Sequence, residues 1–231
     1  MFFIKQQVRK YGHIISLGYN CEISFQFFLK YHFVESSLFA WVNCLNVDNL
    51  IYALSHLDKV CSGEIKNIKP MWKCENTGIC FHGKTSMKIM INNPSAQILK
   101  EDKEELLSRV SYLKNKFIQT SSDGKKNLYI FKYPSKEESD ITEKINLLYE
   151  KLDNLVENKF DLLIILENDF CSKIQENAFN PHIFIRRVDF FTKEEDVTSK
   201  ENDFKHYKKI FKEFRPDFKQ KKRKKFKFEE I

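Results

Sequence analysis

One of the six cysteines in this 231-residue chain stands where a thiol can act. In "IISLGYNCEISFQFFLKYHF" (residues 14–33) an apolar run ends at Gly18, passes Tyr19 and Asn20, and reaches Cys21 as an amphipathic segment begins. A strand ending there and a helix opening at the cysteine put the thiol beyond the carboxyl end of a strand, the edge where open α/β sheets collect reactive groups. The helix start adds unpaired N–H groups and about half a positive charge, which favour thiolate over thiol. The same donors suit an oxyanion, with the Asn20 amide beside them and Gly18 allowing the tight turn that leaves the site open. Read without chemistry, Cys21 is a small core hydrophobe, the commoner lot of a free cysteine.

A thiol nucleophile needs an imidazole to take and return its proton. His82 ends the apolar stretch "GICFH" beside Gly83 and is the first candidate; its plain reading is a turn histidine. The alternative base is His206 with Asp203, four residues of "DFKH" in which a carboxylate would hold the imidazole tautomer. The polar run around that pair reads equally as a solvated helix face. His182 reads as a core or edge residue near Asp189, and His13, His32 and His56 as structural. Asn168, in "ENDF" after an apolar strand, either lines the same sheet edge as Cys21, with Glu167 and Asp169, or caps a turn. Cys74, Cys80 and His82 form C-x5-C-x-H, which fits no common zinc pattern, so no metal site is expected. Neither a G-x-G-x-x-G nor a P-loop is present, and no cofactor is expected for hydrolysis.

The elements that must position these groups follow from periodicity. Strands are expected at 13–18, in "GICFH", at 127–133, at 160–166 and over 182–191, the fourth ("FDLLIIL") being apolar throughout as in a strand buried on both faces. Helices are expected after Cys21, over 47–60, over 95–119 with Leu106, Val110, Leu113 and Phe117 as a stripe, over 140–159 and over 203–214. Asp140 and Glu143 stand at capping-box spacing. Residues 61–94 read as irregular apart from "GICFH". Strands separated by helices imply an α/β three-layer sandwich with a mostly parallel central sheet flanked by helices. A single domain is expected over 1–217, with a basic, disordered tail at 218–231.

Charge speaks against nucleic acid as the partner. The net charge is +7, but residues 219–231 hold seven basic and two acidic residues, leaving the body close to balance. Two arginines in one strand, Arg186 and Arg187, face opposite ways, so at most one serves any site. The tail suits weak, salt-sensitive contact with an anionic membrane surface. With no apolar run long enough for a signal peptide or a membrane span and no C-x-x-C pair, a cytoplasmic chain with reduced thiols is expected, at most peripheral to a membrane.

"SLGYNC", the helix after it, and "FAW" at 39–41 resemble a bacterial domain family of unknown function described as papain-like cysteine peptidases. That family carries S-L-G-x-N-C, a Phe-Asp-Trp triplet some twenty residues on, and a His after an apolar strand. The likeness covers residues 13–93 well and the remainder loosely. It implies Cys21 as nucleophile, His82 as base and Trp41 at the substrate. Two positions depart from it: Ala40 replaces the acidic residue of the triplet, and Gly83 follows the His where the family often has Asp. The implied function is a cysteine-nucleophile hydrolase working through an acyl-enzyme on a peptide, glycan or small-molecule substrate. A related G-N-C motif in capsule-biosynthesis acetyltransferases supplies the alternative, acyl transfer from acyl-CoA in surface-polysaccharide (capsule or lipopolysaccharide) biosynthesis. The missing acidic residues supply a third, a catalytically silent binding protein.

Overall fold

The computed structural model describes residues 8–31, 35–44, 46–68, 71–83, 100–133, 140–168, 174, 176–191 and 207–217. Asp203, His206, His32, Asp169, Cys171 and the tail 218–231 lie outside them. In chain order the elements are β1 (Arg9–Tyr11), β2 (His13–Ser16), α1 (Glu22–Tyr31), β3 (Val42–Cys44), α2 (Val47–Ser55), β4 (Ile65–Ile68), β5 (Met71–Cys74), β6 (Ile79–His82), α3 (Lys100–Ser122), β7 (Asn127–Lys132), α4 (Ile141–Asp153), β8 (Phe160–Glu167), β9 (Ile183–Val188), α5 (Lys208–Glu213) and β10 (Phe214–Pro216).

The central sheet is parallel, in the order β2-β7-β8-β9. Every residue of β7 and β8 is buried, which is why these strands read as continuous apolar runs rather than alternating ones. Alternation persists in a different form, since successive side chains enter different cores. Tyr129, Phe131, Leu162 and Ile164 join one core with Leu50, Phe117 and Ile145 from α2, α3 and α4. Leu128, Ile130, Leu163 and Ile165 join the other with Ile23 and Phe27 of α1 and Ile210 and Phe211 of α5. Helices therefore cover both faces, as the three-layer reading expects.

Residues 61–82, read from sequence as irregular apart from "GICFH", instead supply three strands that join β3 in a second four-stranded sheet, antiparallel, in the order β3-β6-β5-β4. Its strands are three or four residues long and broken by Lys, Asn and Gly, too short for a period to show. Gly78, at φ +69°, closes the turn between β5 and β6, where its N–H donates to the Cys74 carbonyl at 2.7 Å. A short parallel pair, β1 with β10, was also not legible. The capping box at Asp140 does not form: Asp140 makes no side-chain cap bond and instead faces Lys144 at 3.8 Å. Among the described residues no helix is long and apolar enough to cross a membrane.

Candidate functional site

The nucleophile candidate comes from one sheet and the base candidate from the other. After β2, Leu17 N–H continues the parallel ladder by donating to Ile130 O at 2.8 Å. Gly18 then turns with φ +91°, and a Cβ there would meet Val42 Cγ2 at 2.8 Å. This is a glycine position for two reasons, backbone conformation and the closeness of β3. Tyr19 follows at φ +69°, and its carbonyl accepts from Cys44 N–H at 3.0 Å. The turn between the parallel sheet and α1 is thus pinned onto β3. A second pin runs from Ser24 Oγ to Ala40 O at 2.6 Å.

β6 pairs with β3 and so is carried to the same edge, with Val42 opposite Phe81. His82, the last residue of β6, places Nε2 at 3.4 Å from Cys21 Sγ. Both residues are half-buried, and of the five described cysteines Cys21 alone is not buried. Trp41, half-buried, directly precedes β3. The fold thus sets Cys21 beside His82, with Gly18 and Asn20 in the turn that leads to the thiol.

The imidazole is unusual in its second nitrogen. Nδ1 of His82 is buried and has no hydrogen-bond partner among the described residues. The carboxylate that commonly orients such a ring is missing at Ala40 and Gly83, and no other described side chain takes its place. Burial, reinforced by the Arg109 guanidinium, holds His82 below the usual histidine range. Arg109 reaches across from α3 and donates to the His82 carbonyl oxygen. A neutral imidazole beside the thiol is the form able to accept a proton.

Asn20 is turned differently from the sequence expectation. Its Oδ1 accepts from Glu22 N–H at 3.1 Å, capping α1, and lies 3.4 Å from Lys132 Nζ. Both partners are donors, which fixes the oxygen on that side. The helix-start N–H of Glu22 is consequently engaged and does not serve the site.

Three residues that sequence reasoning missed underlie this edge. Glu22 and Lys132, 0% and 2% exposed, form a buried ion pair at 2.5 Å, and the Tyr207 hydroxyl donates to Glu22 at 2.8 Å. Lys132 also lies over the rings of Tyr19 and Phe191 at 5.1 and 4.5 Å. Burial and the Glu22 carboxylate push the Tyr207 hydroxyl well above its usual range. The signals were a lone lysine ending the apolar strand "NLYIFK" and a glutamate directly after Cys21. Arg109, the fourth, gave none, since an arginine in a polar helix is ordinary.

The remaining candidates make contacts of their own. Asn168 sits at the carboxyl end of β8, with β7 between that strand and β2, and its amide donates to Asp189 at 2.8 Å. The Glu167 carboxylate accepts from Phe191 N–H at 2.5 Å. His182 is at the opposite end from Asp189; its ring meets Asp161 at 2.9 Å. Arg186 forms a two-pronged pair with Glu213. The other described thiols are buried: burial pushes Cys44 up to about 12, and Cys61 directs its N–H at Cys74 Sγ at 3.0 Å. Among the described residues no group of three or more His, Cys, Asp or Glu is arranged to hold a metal ion.

Compared with family models, with curated proteins and with solved structures, the chain matches none.

Proposed function

We propose that the protein is a cysteine-nucleophile enzyme of acyl transfer, in which Cys21 attacks a carbonyl and His82 manages the proton. The observation that carries this is the 3.4 Å approach of His82 Nε2 to the accessible Cys21 sulfur, made by residues from separate sheets. In the first step the thiol proton passes to Nε2 as the sulfur–carbon bond forms, and the oxyanion meets Asn20 Nδ2. His82 then returns the proton to the leaving group, giving an acyl-enzyme. Water, or an acceptor hydroxyl, gives up a proton to His82 as it attacks and regenerates Cys21. Hydrolysis of a peptide or small acyl substrate is the leading reading, in line with the resemblance of "SLGYNC" and "FAW" to the papain-like peptidase family. The unpartnered Nδ1 of His82 favours a second reading, a silent binding protein, because nothing described holds the ring in its working tautomer.

Site-resolved mass spectrometry after iodoacetamide treatment at pH 6 separates the two. An activated dyad labels Cys21 ahead of the other five thiols. Labelling of Cys21 in His82→Gln as fast as in the parent chain would sink the enzyme reading. Protection of Cys21 by acyl-CoA rather than by peptides would turn hydrolase into transferase.

A further inference from the structure

Arg109 is a cation beside the dyad with no anion paired to it among the described residues. Its guanidinium projects from the middle of α3 to the end of β6, where the group it contacts is a neutral carbonyl, that of His82 itself. No carboxylate among the described residues lies within ion-pair distance of it. The acid that acts on it electrostatically is Glu105, exposed and one turn back on the same helix. Burial is already strong enough to disfavour its charged form. The neighbouring chain offers no relief in composition either: residues 84–99, which join β6 to α3, contain two lysines and not one Asp or Glu.

A half-buried guanidinium without a counter-charge is costly, and the same charge disfavours an imidazolium on His82. Two other buried or half-buried cations do have carboxylate partners. Lys132 has Glu22, and Arg186 has Glu213. A cation with no counter-ion among the described residues, at the one described thiol that is not buried, is what a site for an anionic ligand looks like before the ligand arrives. The planar guanidinium, with one donor on the His82 carbonyl, keeps further N–H groups in a fork suited to two oxygens of one oxyanion.

We infer that Arg109 recognises an oxyanion, a carboxylate or phosphate, on the substrate of the Cys21–His82 site, so that the acyl donors accepted there carry negative charge close to the scissile carbonyl. This rests on the reading of Cys21 as a nucleophile. Arg109 takes no part in bond-making; it binds and places the substrate's anionic end while the neighbouring dyad reacts.

The experiment uses two alkylating reagents of similar size. Iodoacetate is an anion and iodoacetamide is neutral; in both reactions a sulfur–carbon bond forms, iodide leaves, and the thiol proton goes to His82 or buffer. Rates at Cys21 are followed by mass spectrometry at pH 8.5, where imidazoles are neutral, and referred to free cysteine. The iodoacetate-to-iodoacetamide ratio at Cys21 should exceed that of free cysteine about tenfold, the worth of one charge-assisted hydrogen bond. Arg109→Gln should bring the ratio down to the free value, and Arg109→Lys should retain most of it. Equal ratios in the parent chain and Arg109→Gln would overturn the inference while leaving the nucleophile intact. Slow, unselective labelling by both reagents would remove the nucleophile and the inference with it. A measurement on the unaltered chain stands beside these in case Arg109→Gln fails to fold. Succinate or inorganic phosphate should protect Cys21 from iodoacetamide beyond sodium chloride of equal ionic strength, and the better protector tells carboxylate from phosphate. Protection by neither would also overturn the inference.

Discussion

The two ends of the parallel sheet treat histidine in opposite ways. At the amino end, His13 opens β2 with Nδ1 at 3.0 Å from Glu35 and Nε2 at 2.7 Å from Asp123, so both nitrogens are engaged by carboxylates. Those acids raise its pKa above the usual histidine value. His182, at the same end, rests on Asp161, which also takes the Tyr11 hydroxyl at 2.6 Å and Lys126 at 2.6 Å. At the carboxyl edge, His82 has one nitrogen on a thiol and the other on nothing described, and its pKa is lowered by burial and a cation. A histidine saturated by carboxylates ties elements together; a neutral one facing a thiol is able to move a proton. The difference lies in the partners, since the residue is the same.

The comparison is broken most directly by exchanging the histidines for glutamine. His82→Gln should slow the reaction of Cys21 by about 10²–10⁴, the usual worth of general-base catalysis, while His13→Gln leaves that rate within twofold. Equal losses from both would erase the distinction, with labelling kinetics as the measure. Next in size is the buried pair under the carboxyl edge. Lys132→Met should cost about 3–5 kcal/mol in denaturant unfolding, because Glu22 would be left charged in the interior. The double variant Glu22→Gln with Lys132→Met should recover part of that loss, since it removes both charges. At the amino end, Tyr11→Phe should cost about 1–2 kcal/mol, Asp161 keeping Lys126 and His182.

The smallest effect is a pH dependence with a definite sign. The folded pKa of His13 lies above its unfolded value of about 6.5, so its protonated form adds stability fully below that pH. The contribution fades as pH rises through the folded value. In the His13→Gln variant the decline in unfolding free energy above pH 6.5 should be shallower, by about 1 kcal/mol or less given solvent screening. His82 has the reverse sign, and the acid limb of any kcat/KM profile should lie below pH 6.5. Removing the Arg109 charge should move that limb upward.

What was legible in the sequence divides along physical lines. β7, β8 and α4 were evident because burial on a fixed period is written into every residue, and "FDLLIIL" has no other comfortable environment. The turn "LGYNC" was legible because Gly18 and Cys21 mark a strand end meeting a helix start. The antiparallel sheet was not, because strands of three or four residues are stabilised by partners distant in the chain rather than by their own pattern. The Asp140 capping box failed for a related reason: the spacing was present, but the hydrogen bond requires a backbone geometry that residue 140 does not adopt.

Local chemistry, then, was determined by sequence alone: which residue could be a nucleophile, which strands could be buried, and where the basic charge lay. Only the tertiary structure decided the pairing. His82 becomes Cys21's neighbour because β3 is pinned to the turn at Gly18 and β6 pairs with β3, and Arg109 arrives from a helix with no local reason to be there. Spacing along a chain carries periodicity, which is a short-range property. An imidazole 61 residues from the thiol it faces is placed by packing, and packing is settled by the whole core at once.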